Sequence, residues 1–105
     1  MVRKNKADAR SDKNLSFSLP QVLDLLAAQG LKDKLLEFFD LEGDLLIEGS
    51  DVERISTPCI EVLVAAQKAF KNAERAFQIK NPSEYLSEAF ETLGLGTDLD
   101  QWRIS

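Results

Sequence analysis

The sequence predicts an α/β domain, and three observations carry that expectation. Segments such as Leu15-Ser16-Phe17-Ser18-Leu19 and Ala76-Phe77-Gln78-Ile79-Lys80 alternate apolar and polar residues, the period of a strand with one buried face. Longer segments between them place apolar residues at helical spacing. Strands that alternate with helices in this way favour parallel pairing through helical crossovers.

Taken in order, the first strand covers Leu15–Leu19, and Pro20 ends it or confines it to an edge because proline has no N–H for a ladder. Val22-Leu23-Asp24-Leu25 reads equally as a second short strand or as the approach to a helix. From Ala27 to Phe39, Leu31, Leu35, Leu36 and Phe39 mark the apolar side of a helix and Lys32, Asp33 and Glu37 its polar side. A turn at Glu42-Gly43-Asp44 leads into Leu45-Leu46-Ile47-Glu48-Gly49, an apolar run expected to be a buried strand.

A loop over Ser50–Ser56 then meets Thr57-Pro58, which reads as an N-cap followed by proline at the first helical position. The helix after it carries Ile60, Leu63, Val64 and Phe70, and Ala65, Ala66 and Ala69 are expected to let it approach a sheet. After the strand at Ala76–Lys80, Asn81-Pro82-Ser83-Glu84 repeats the helix-start signal, with Glu84 as a capping-box residue. The last helix presents Tyr85, Leu86, Ala89, Phe90 and Leu93 and stops at Gly94. Leu99, Trp102 and Ile104 are expected to anchor the C-terminal segment on the core.

The 105 residues suffice for one domain, and 44% apolar with 30% charged is a globular balance rather than a disordered one. Residues 1–13 hold five basic side chains against two acidic ones, a net charge of +3. They are expected to form a disordered basic tail ahead of a single domain at 14–105. The whole-chain charge of −5 leaves −8 on that domain, which disfavours nucleic acid because phosphate contacts supply most non-specific affinity. No apolar stretch approaches the roughly 20 residues of a membrane span. No apolar segment follows the charged start at Arg3 and Lys4, as it would in a signal peptide. With Cys59 the only cysteine, the expected compartment is the cytoplasm.

Catalytic chemistry has little to work with. The chain has no histidine, so Ser-His-Asp and Cys-His arrangements cannot form, and the commonest metal ligand is missing. Gly94-Leu95-Gly96 ends a helix and is not a phosphate-binding strand-to-helix turn. The expectation is a protein that is not an enzyme, takes no cofactor or metal, and acts by binding other proteins.

The segment Val52-Glu53-Arg54-Ile55-Ser56-Thr57-Pro58-Cys59-Ile60-Glu61-Val62-Leu63 resembles STAS domains. These show a buried strand, then a loop ending in Asp-Ser/Thr-Ser/Gly/Ala-Gly-Leu, then an apolar helix. Thr57 falls where that family places its phosphorylatable or partner-contacting hydroxyl. Ser56 stands where Asp is usual, Pro58 replaces a small residue and Cys59 replaces Gly. The resemblance runs over roughly residues 15–95. With Leu19-Pro-Gln-Val-Leu-Asp-Leu25 and Phe77-Gln-Ile-Lys-Asn-Pro-Ser83 it is closest in look to the small STAS proteins of bacterial chemotaxis gene clusters.

The resemblance implies a four- to five-stranded mixed sheet with helices mainly on one face. It also implies a docking surface at Arg54, Ser56, Thr57, Pro58, Cys59, Ile60 and Glu61, with Thr57 as a candidate phosphoacceptor. The implied partner is a histidine-kinase-type ATPase, first of all the sensor kinase of a chemotaxis system. The alternatives are an anti-sigma factor antagonist switched at Thr57 and the soluble subunit of a lipid-transport ABC complex. Oligomeric state is not legible.

Overall fold

A computed structural model describes residues 14–104, so the basic tail expected over 1–13 lies outside the described residues. Among the described residues, five strands and four helices follow in the order β1 (Leu15–Ser18), β2 (Val22–Leu23), α1 (Ala27–Asp40), β3 (Leu45–Glu48), β4 (Arg54–Ile55), α2 (Thr57–Asn72), β5 (Phe77–Lys80), α3 (Glu84–Thr92) and α4 (Gly96–Trp102). The strands form a three-stranded sheet, β1-β3-β5, and a separate two-stranded ladder, β2-β4.

All the pairings are parallel among the described residues, whereas the resemblance implies a mixed sheet. The reason lies in the connections. α1 lies between β1 and β3, and α2 between β3 and β5, so each return to the sheet is a crossover rather than a hairpin.

The register explains the alternation in the sequence. Leu15, Leu45 and Phe77 share one row, and Phe17, Ile47 and Ile79 another. These rows are buried or half-buried, while Ser16, Ser18, Gln78 and Lys80 on the opposite face are exposed. The helices therefore pack on one face of the sheet. Phe17 meets Phe38 of α1 with ring centroids 5.5 Å apart, and Phe70 of α2 meets Phe77 of β5 at 5.6 Å. Phe39, Phe70, Phe77, Trp102 and Phe90 continue this as one aromatic chain through the core, at centroid spacings of 5.3–5.6 Å and steep interplanar angles. Such pairs contribute about 0.5–1.5 kcal/mol each beyond area burial.

Several local expectations change. Leu36 is 52% exposed although it sits on the predicted apolar side of α1; Leu31 and Leu35 carry that side's burial. Ala65, Ala66 and Ala69 line a groove between α1 and α2. The N-cap of α2 is Ser56, and Thr57 is the first helical residue. The cap of α3 is Ser83, whose Oγ accepts from Leu86 N–H at 3.1 Å; Asn81 adopts a left-handed φ of 53° in the preceding turn. Gly94 stops α3 as expected, at φ 77°, with its N–H donating to Glu91 and that of Leu95 to Phe90. Leu99 and Trp102 are core residues of α4, a helix too short to show in the pattern. Ile104 is 47% exposed and is held through its backbone, which donates to the Ile79 carbonyl at 3.0 Å.

Candidate functional site

The first turn of α2 is positioned by the small β2-β4 ladder. Val22 pairs with Arg54 and Leu23 with Ile55, and Ser56 N–H donates to the Leu23 carbonyl at 2.8 Å. Ser56 is extended (φ −87°, ψ 158°), and its carbonyl accepts the first helical bond, from Ile60, at 3.1 Å. Pro58 fits in the opening turn because an N–H there has no intrahelical partner to lose. Cys59 Sγ donates to the Asp24 carbonyl at 3.4 Å and ties the turn to the end of β2.

This geometry divides the seven residues expected to meet a partner. Arg54, Thr57 and Glu61 are exposed, and Ser56 and Pro58 are half-buried. Cys59 and Ile60 are 0% and 1% exposed, so the resemblance-based expectation that they contact a partner is corrected: they are core side chains that hold the turn in place. Full burial also removes Cys59 from reactive chemistry, which needs an accessible thiolate. Ser56 Oγ is buried, has no hydrogen-bond partner among the described residues and does not cap the helix through its side chain. Thr57 is thus an exposed residue at the positive end of a 16-residue helix.

Beside this turn the structure brings up two residues that sequence reasoning missed. Leu25 and Leu26 follow β2 after Asp24 and are 67% and 89% exposed. Asp24, which accepts from Cys59, caps the turn below them by accepting from Ala27 N–H through Oδ1 at 3.1 Å. The signal was in the run Val22-Leu23-Asp24-Leu25-Leu26, which holds more large apolar residues than a two-residue strand can bury.

Two concavities flank the site. A polar cleft of about 630 Å³ lies beyond the C-terminal ends of β3 and β5, between Gln21, Asp51, Glu53, Ser83, Glu84 and Tyr85. Near it, the Glu48 carboxyl is held below the usual carboxylate range, first by the Ser50 side chain, then by the Asn81 amide, the Ser50 N–H and the Lys80 charge; partial loss of hydration opposes them. The second concavity, about 530 Å³, is the apolar groove between α1 and α2, with Pro58 and Glu61 of the first turn on its border. Among the described residues, no cluster of three or more His, Cys, Asp or Glu is placed to hold a metal ion. No described helix is long and apolar enough to cross a membrane.

Comparison with known proteins places this architecture. A sequence model of the STAS family, described as "Mlab, STAS domain", matches residues 7–101. Among solved structures, the anti-sigma factor antagonist SpoIIAA in its unphosphorylated form superposes with a TM-score of 0.67 at 16% identity, over 83% of this chain and 74% of that one. A sulfate transporter family protein from Wolinella succinogenes gives 0.67 at 15% identity, over 94% and 86%. No curated protein sequence matches the chain significantly. At these identities the structural likeness is one of fold, and the family match covers most of the sequence: the chain belongs to the STAS domain family.

Proposed function

We propose that this chain is a non-enzymatic regulator, with residues 14–105 as its one domain, that docks on a protein partner in the cytoplasm. The docking surface is the first turn of α2, with Arg54, Ser56, Thr57, Pro58 and Glu61 as its accessible residues. The observation that carries the proposal is the pairing of an exposed Thr57 with two leucines, Leu25 and Leu26, that the fold leaves in solvent. Large apolar groups beside an accessible polar centre are what a partner covers on docking.

The partner we favour is a histidine-kinase-type ATPase, and within that class the sensor kinase of a chemotaxis system. The support is the resemblance over Leu19–Leu25, Val52–Leu63 and Phe77–Ser83. The exposure of Thr57 also supports a second reading, an anti-sigma factor antagonist. A phosphate there gains a favourable helix terminus while its charge and bulk obstruct docking.

Affinity purification from native cells, with wild type and Thr57→Glu side by side, tests the proposal. A histidine kinase recovered with wild type and lost with Thr57→Glu supports it. An anti-sigma kinase together with stoichiometric phosphate on Thr57 selects the second reading. Recovery of an ATP-binding-cassette protein selects the transport-complex alternative. A partner held equally by both forms overturns the assignment of the site.

A further inference from the structure

We infer that the groove between α1 and α2 is a self-association surface, on which two copies of this chain pair about a two-fold axis running along the groove. The inference is independent of the docking proposal, since it concerns the purified protein alone.

The topology sets the geometry. Both helices are crossover connections between parallel strands, so α1 and α2 run in the same direction. The groove they enclose is mainly apolar, floored by Leu35, Phe39 and Phe70. Its two borders differ in a matched way. On α1, Lys32 is followed one turn later by Leu36, a large side chain that is 52% exposed. On α2, Glu61 is followed one turn later by Ala65, a small and exposed one. An axis parallel to the helices sets α1 of one copy against α2 of the other, at equal height and in equal direction. Lys32 then meets the second copy's Glu61, and Leu36 fills the space over the second copy's Ala65. Each contact occurs twice, as a two-fold interface requires. The product is a four-helix layer with the groove as its seam.

Charge selects a second copy as the occupant. Residues 14–105 carry a net −8, so most faces of this molecule repel one another. The groove border offers one cation and one anion, and neither Lys32 nor Glu61 is in an ion pair among the described residues. It is balanced and self-complementary, where a strongly basic partner would call for an acidic border. Because Pro58 and Glu61 belong both to this seam and to the first turn of α2, self-pairing and partner docking compete for the same residues.

Sedimentation equilibrium of the purified full chain, across a concentration series, tests the inference. The expected result is a reversible dimer. Ala65→Glu, on an exposed position that leaves the core intact, weakens it about tenfold or more through a buried unpaired charge. Lys32→Glu and Glu61→Lys each weaken it roughly two- to fivefold, and the double variant regains wild-type pairing because it restores the opposite charges. A chain that stays monomeric to millimolar concentration overturns the inference. So does a dimer indifferent to Ala65→Glu, or one that the double reversal fails to restore.

Discussion

The Arg75 guanidinium, from the turn after α2, closes the C-terminal end of α1 by donating from Nη1 to the Phe39 carbonyl at 2.8 Å. Nε donates to Gly43 at 2.6 Å and Nη2 to Phe38 at 3.2 Å. The same guanidinium lies over the rings of Phe39 and Phe70, 4.6 and 4.4 Å from their centroids. The Phe38 and Phe39 carbonyls also accept from the N–H groups of Leu41 and Glu42, at 3.1 and 3.4 Å, so the planar fork adds a second donor to each and holds Gly43 besides. It fixes the α1 terminus to the α2 terminus and so sets the spacing of the two helices that carry the site.

Replacing Arg75 by Ala is therefore expected to destabilise the fold by about 1–3 kcal/mol, since it removes three charge-assisted hydrogen bonds and the stacking on Phe39 and Phe70. Arg75→Lys is expected to recover less than half of that, because an ammonium reaches one carbonyl at a time and cannot stack as a plane. Urea unfolding followed by circular dichroism measures both. Equal stability of wild type and Arg75→Ala would show that water replaces the fork without loss.

How far the sequence discloses this molecule depends on the length over which a pattern repeats. β1 and β5 are legible because Leu15/Phe17 and Phe77/Ile79 each alternate with polar residues on a face that stays exposed. β4 and α4 are not legible: two residues hold no period, and Arg54-Ile55 becomes a strand only through its pairing with Val22-Leu23. The caps misled for a related reason. Ser56 and Thr57 are both good cap types, and the register of the ladder, through Ser56 N–H on Leu23, decides which one ends the strand. The exposed Leu25 and Leu26 were hidden by the expectation that large apolar residues are buried, which fails at a surface a partner would use.

Thr57 separates capping from contact. As the first helical residue, with the cap position taken by Ser56, it contributes little through its hydroxyl. Thr57→Ala is expected to change stability by less than about 0.5 kcal/mol, against the ~1 kcal/mol typical of a lost N-cap. Thermal unfolding decides the matter. A loss of 1 kcal/mol or more would return Thr57 to a capping role and weaken the case for a hydroxyl held ready for a partner.

Glu48 gives the acid limb of stability a specific contributor. Its carboxyl accepts from Ser50 N–H at 3.3 Å and Asn81 Nδ2 at 3.4 Å, and its folded pKa lies below the ordinary value of 4.5. The native state therefore favours the ionised form. The added stability is fully present above the unfolded pKa and disappears as pH falls through the lower folded value. Glu48→Gln is expected to flatten the pH dependence of the urea midpoint below about pH 5, leaving the neutral region nearly unchanged. An unchanged acid slope would assign it to other carboxylates.

Gly49 holds the end of β3 against α3, and its substitution sets two effects of opposite sign against each other. A Gly→Ala change at a compatible backbone stabilises by about 0.4–1 kcal/mol, because the unfolded chain loses freedom. Here a Cβ would stand 3.0 Å from Leu86 Cδ2 and 3.3 Å from both Ile79 Cδ1 and Pro82 Cα. Leu86 and Ile79 are 0% and 1% exposed, so neither can swing away, and Pro82 is met at its backbone. Gly49 is also fixed from both sides, its N–H donating to Lys80 at 2.9 Å and its carbonyl accepting from Ser83 at 3.1 Å. Overpacking of this kind costs about 1–3 kcal/mol, which exceeds the entropic gain. Gly49→Ala is thus expected to be destabilising by about 1–2 kcal/mol net, with the strain directed at the start of α3, where Ser83 Oγ donates to Val52 at 2.7 Å and accepts from Leu86. Methyl NMR of Leu86 and Ile79 together with urea unfolding checks both parts. A stabilised variant with unshifted methyl resonances would mean that α3 yields a few tenths of an ångström, and that the tight seat of Gly49 is not what sets the position of this helix.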